Sequence, residues 1–137
     1  MLVAGCTSGN VRTNPRDQTA MRVEADLFSG RPNPDFTLSP EQASDLLHLL
    51  RALPPGATQV EPPGLGYRGF LIHDRGSAFP GCTAWRAFHG AVAGNCGSDT
   101  RVFADPSRTV ERWLLRVAHG HLDAGIYAAI AGDFQGP

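Results

Sequence analysis

The sequence predicts an α+β fold: a small antiparallel sheet of about four strands with two helices packed on one face. Three observations predict it. Residues 21–28 alternate apolar and polar side chains. Two later stretches carry apolar residues at helical spacing, each behind a capping residue and a proline. The segments run strand, helix, three strands, helix, an order that packs helices on an antiparallel sheet.

In the first strand Met21, Val23, Ala25 and Leu27 fall on one side, and Arg22, Glu24 and Asp26 on the other. Period two with one polar side predicts a half-buried strand with one wet face. Gly30, Pro32 and Pro34 follow, so residues 28–34 form a stiff loop. Within it Arg31 and Asn33 are candidates for contact with a ligand or partner. A guanidinium on a proline-stiffened loop meets a carboxylate or phosphate at low entropic cost.

Ser39, Pro40 and Gln42 then open a helix. Ser39 caps, Pro40 suits the first helical position and Gln42 completes a capping box. Glu41 complements the positive end of the dipole. Ala43, Leu46, Leu47, Leu50 and Leu53 make the apolar stripe, and Pro54, Pro55 and Gly56 end it. Residues 54–66 are rich in proline and glycine and predict an irregular connection.

Residues 67–73 read as a second strand, residues 84–92 as a third and residues 100–103 as a short fourth. Asp105 and Pro106 open the second helix by the logic of Ser39 and Pro40. Val110, Trp113, Leu114 and Val117 share its apolar face. Glu111 lies among Arg108 and Arg112, a solvated arrangement, and Gly120 terminates the helix. Residues 124–131 are small and apolar, and fit either a short helix or an extended segment.

Composition bounds the function. A chain of 137 residues is long enough for one ordinary domain, here residues 21–137. A formal net charge of −1 gives no electrostatic case for nucleic acid. No run of 18 apolar residues is present. All 12 basic residues are Arg. Without Lys there is no Schiff base, no lysine-bound pyridoxal phosphate and no P-loop lysine. Arg-only usage is what a GC-rich bacterial genome produces, and such a genome also favours Ala, Gly and Pro.

The densest group of metal-ligand types is His119, His121 and Asp123. Two histidines one residue apart can share a metal from a strand, and a metal-assisted hydrolase would use all three. At a predicted helix end, histidine is equally favoured by the dipole. His73 and Asp74 are adjacent on a strand and point to opposite faces, so they form no dyad. Ser77 and Ser98 lack the GxSxG elbow of a hydrolase nucleophile. Trp85 and Trp113 read as core. No coherent catalytic constellation emerges, and no cofactor is expected.

The chain opens with Val3, Ala4, Gly5 and Cys6. This peptide resembles the lipobox of bacterial lipoproteins: an apolar residue, two small residues and the cysteine that carries the lipid. The resemblance covers under a tenth of the chain. It implies that residues 1–5 are the remnant of a signal peptide whose basic region and apolar core lie upstream or were removed. It also implies lipidation at Cys6 and a place in the bacterial cell envelope, outside the cytoplasm. The polar, Gly-, Pro- and Asn-containing residues 6–20 then form a flexible tether. In an exported chain the remaining pair, Cys82 and Cys96, defaults to a disulfide. The insert between them reads as one strand with a turn at each end. A metal site would lack a CxxC pair, with only His89 between the cysteines; free thiols are the other alternative. The expectation is a lipid-anchored, non-catalytic binding module whose partners are the membrane and either an envelope protein or a small ligand.

Overall fold

A computed structural model describes residues 20–135, apart from residues 29, 57, 59, 60, 65, 77, 78 and 80. Cys6, the expected signal remnant, residues 6–19 of the tether and Ser77 lie outside the described residues. The elements are β1 (Met21–Ala25), β2 (Asp35–Thr37), α1 (Pro40–Arg51), β3 (Phe70–Asp74), β4 (Ala84–Phe88), β5 (Ala91–Cys96), β6 (Asp99–Ala104), α2 (Thr109–Ala118) and α3 (Ala124–Asp133). The strands form one antiparallel sheet in the order β2-β1-β3-β4-β5-β6. The mixed helix-and-strand class holds, but the counts are six strands and three helices among the described residues, not four and two.

The additional strands have identifiable causes. β2 is three residues long, too short for a periodic signal, yet Phe36 pairs with Val23 and is buried. The expected third strand is in fact a hairpin. His89 and Gly90 both have positive φ, 48° and 92°, the pattern of a type I′ turn, so the chain reverses after Phe88. A histidine in place of Asn or Asp hid the turn. The Cys82–Cys96 disulfide is present and ties together the open end of this β4–β5 hairpin.

α1 begins as expected: the Gln42 amide N–H donates to Ser39 Oγ at 3.1 Å, and the Ser39 N–H donates to Gln42 Oε1 at 2.9 Å. Asp105 also caps, its two oxygens each accepting an N–H at 2.9 Å, from Thr109 and Val110. The helix starts later than the Asp105-Pro106 pair predicts, because Pro106 and Ser107 are spent on a turn. Residues 124–133 resolve as helix, capped by the Asp123 carboxylate accepting the Ile126 N–H at 2.9 Å.

Alternation places Val23, Phe36, Phe70, Ile72, Trp85 and Val92 on one face of the sheet. They form the core with Leu46 and Leu50 of α1, Val110, Leu114 and Ala118 of α2, and Ile130 of α3. Among the described residues the opposite face carries no helix. The edge at β6 is partly covered, since Ala104 N–H donates to Pro54 O at 2.8 Å and Gly56 N–H to Val102 O at 3.0 Å.

Candidate functional site

The strand register sorts the helix-free face into three rows. The first runs Thr37, Arg22, His73, Ala84, Asn95, Thr100 across all six strands. The second runs Asp35, Glu24, Leu71, Arg86, Ala93, Val102. In the third Phe88 and Ala91 are buried, with the Tyr67 ring 5.8 Å from that of Phe88. The face therefore grades from apolar and covered at one end to polar and open at the other.

At the open end lies a hollow of about 700 Å³. Arg22, Thr37, His73 and Ala84 of the first row line it, joined by Arg75 from the β3–β4 turn and by Thr83. Ala84 is the small floor residue that leaves the space. Arg75 stands on a turn fixed by the Gly76 N–H donating to Asp74 Oδ1 at 3.0 Å. The acids of the second row sit behind the first. Arg22 Nη1 donates to Asp35 at 2.6 Å, and His73 Nε2 lies 3.1 Å from Glu24 Oε1.

Behind these residues is a carboxylate that the alternation assigned to the wet side. Asp26 is 2% exposed. Arg68 Nη2 donates to its Oδ1 at 2.9 Å and Arg86 Nη1 to its Oδ2 at 2.8 Å. Burial pushes the carboxyl up, but the bonds and charges of Arg86 and Arg68 outweigh it and hold Asp26 below the usual carboxylate range.

A second charged cluster lies by the β4–β5 turn, at the end of the sheet away from the hollow. Glu111 is 1% exposed, which corrects its expected place on a solvated helix face. Its carboxylate accepts from Arg108 Nε at 2.9 Å and Nη2 at 2.8 Å, from the His89 N–H at 2.9 Å and from the Tyr67 hydroxyl. Arg108 Nη2 also reaches Asp133 Oδ2 at 2.9 Å, and His89 Nε2 lies 2.8 Å from the same oxygen. Burial, followed by the charge and bond of Glu111, pushes the Tyr67 phenol far above its ordinary value. Arg108 and His89 are the non-glycine residues at positive φ among those described, and both serve this cluster. Each left-handed conformation costs of order 1–3 kcal/mol and persists where the surroundings fix it. Here every bond is internal, joining the hairpin turn, α2 and α3.

The remaining expected site residues are placed as follows. Asn33 is internal: its Oδ1 accepts the Leu27 and Phe28 N–H groups at 2.9 and 2.7 Å, and its Nδ2 donates to Glu24 at 2.8 Å. Arg31 is exposed and lies 3.7 Å over the Phe28 ring. The structure does not bring His119, His121 and Asp123 together. His119 meets the edge of Tyr127, His121 stacks on Phe36 with centroids 4.5 Å apart, and Asp123 caps α3. Among the described residues no group of three or more His, Cys, Asp or Glu could hold a metal ion. Cys82 is fully buried in its disulfide, so neither the metal site nor the free thiols hold for this pair.

Sequence reasoning missed the grouping of Arg22, His73 and Arg75 around the hollow. Arg22 was visible on the wet side of its strand, but cross-strand neighbours depend on register, which no local pattern supplies. Compared with protein-family models, curated proteins and solved structures, the chain matches none.

Proposed function

We propose that this protein is an exported, lipid-anchored domain of the bacterial cell envelope that works by non-catalytic binding at its helix-free sheet face. The observation that carries the reading is the Cys82–Cys96 disulfide. Such bonds persist in oxidising compartments outside the cytoplasm. It agrees with the lipobox-like Val3, Ala4, Gly5 and Cys6 and with the polar sequence between Cys6 and β1. The bare face offers the binding surface: an open polar hollow on a rigid sheet, held on the opposite side by α1 and α2. Two of its side chains, Arg22 and His73, lie against the acids Asp35 and Glu24.

The test has two arms. In the native host, with the upstream reading frame intact, metabolic labelling with a palmitate analogue is expected to tag the wild type and not Cys6→Ser. An unlabelled wild type removes the anchor. Mass spectrometry of protein isolated without reductant is expected to show Cys82 and Cys96 protected from alkylation. Two free thiols remove the oxidising compartment from the reading.

A further inference from the structure

We propose that the hollow at the open end of the sheet binds an oxyanion, the carboxylate or phosphate group of a small ligand. This deepens the reading of the bare face as a binding surface and rests on it. Arg22, His73, Arg75, Thr37 and Thr83 supply the polar side chains of the lining, and none is a carboxylate. Arg contributes only N–H donors, and the other side chains can all donate. The carboxylates nearby, Glu24 and Asp35, lie one row back. There they touch Arg22 and His73 rather than the hollow.

Arg22 engages both acids through Nη1, at 2.6 and 3.9 Å. Its Nε and Nη2 hydrogens make no bond among the described residues. The pair with Asp35 is exposed on both sides, 44% and 50%, and such pairs hold weakly. Arg75, on its exposed turn, has no acid within ion-pair distance among the described residues. Two guanidiniums with free donors thus flank a floor made by Ala84. A forked guanidinium matches the two oxygens of a carboxylate or phosphate. The volume of the hollow, about 700 Å³, is that of a small-molecule site.

The test is a ¹H–¹⁵N NMR titration of the folded protein with inorganic phosphate and, separately, with acetate, at ionic strength held constant with sodium chloride. Saturable shifts are expected at the amides of Arg22, Thr37, His73, Arg75 and Thr83. Saturation with phosphate alone assigns a phosphate ligand, with acetate alone a carboxylate, and with both a shared oxyanion site. Arg75→Ala is expected to weaken binding at least about tenfold, the loss of one charge-assisted hydrogen bond. Ala84→Leu, which fills the floor, is expected to abolish it. Arg112→Ala, on α2 and on the other side of the sheet, is expected to leave it unchanged. Three results would overturn the proposal: no saturable shift with either anion, shifts at Arg112 and Arg116 equal to those in the hollow, or wild-type affinity in both hollow variants. A silent hollow in a protein that is labelled at Cys6 removes the ligand class and leaves the anchored module. Binding without label does the reverse.

Discussion

Removing the Glu111 carboxylate is the sharpest perturbation the structure offers. Glu111→Ala deletes the acceptor of four hydrogen bonds at a site that is 1% exposed. The Arg108 side chain, 16% exposed, then keeps the Asp133 carboxylate as its one charged partner among the described residues. The Tyr67 hydroxyl and the His89 N–H lose their acceptor. Breaking a buried ion pair from one side costs about 3–5 kcal/mol, because the remaining charge stays desolvated. Each orphaned donor alone is worth about 1–3 kcal/mol. These figures overlap rather than add, so the expected loss is about 3–5 kcal/mol, a large share of the 5–15 kcal/mol typical of a domain. Urea unfolding followed by tryptophan fluorescence measures it as a lower midpoint at unchanged slope. Should the alanine variant be unfolded in buffer, Glu111→Gln keeps an acceptor and is expected to show an intermediate loss. A loss under about 1 kcal/mol for Glu111→Ala, the worth of an exposed pair, would refute the reading of this cluster as buried and structural.

Three further outcomes follow from the same physics. Asp26 has a folded-state pKa below its unfolded value, so its contribution is complete above about pH 4 and is lost as pH falls through the folded value. Asp26→Asn is expected to be less stable at pH 6 and to lose less on acidification, and parallel pH profiles in urea unfolding would contradict this. Tyr67 is shifted the other way, so the native state holds its proton more tightly and stability is lost as pH rises beyond about 10. Tyr67→Phe is expected to flatten that alkaline limb, and a native Tyr67 that ionises near pH 10 by ultraviolet absorbance would remove the argument. At Gly94 an added Cβ would sit 2.7 Å from two atoms of the Trp85 ring, so Gly94→Ala is expected to cost about 1–3 kcal/mol by overpacking. A thermal midpoint equal to wild type would show that the ring moves aside freely.

What the sequence made legible was local. The capping box at Ser39 and Gln42, the acid cap at Asp105, and the alternation of β1 are each written within a few residues. What it concealed depended on register or on an unusual turn residue. His89 sits in a type I′ turn where Asn or Asp is the usual signal, so one expected strand was two. β2 owes its place to pairing with β1 rather than to its own three residues. Asp26 continues the polar side of β1, and its charged partners Arg68 and Arg86, 42 and 60 residues away in the chain, offset its burial. The same holds for the hollow. Arg22, His73 and Ala84 are neighbours only because three strands align.

The absence of lysine gains a structural meaning at some arginines and none at others. Arg108 donates from Nε and Nη2 to both oxygens of Glu111, reaches Asp133, and lies 3.9 Å over the Phe134 ring. Arg86 gives Nη1 to both Asp26 and the Arg68 carbonyl, at 2.8 and 2.6 Å. For Arg108, a lysine ammonium presents its three N–H groups from one atom and cannot span those acceptors while stacking on a ring. By contrast Arg101 and Arg116 are exposed and form no ion pair among the described residues. Lysine would serve equally there, so a genome's codon preference is sufficient cause. The composition is therefore two facts joined. Codon preference suffices where arginine is exposed and unpaired, and the fold uses its planar, multi-donor head where carboxylates are buried.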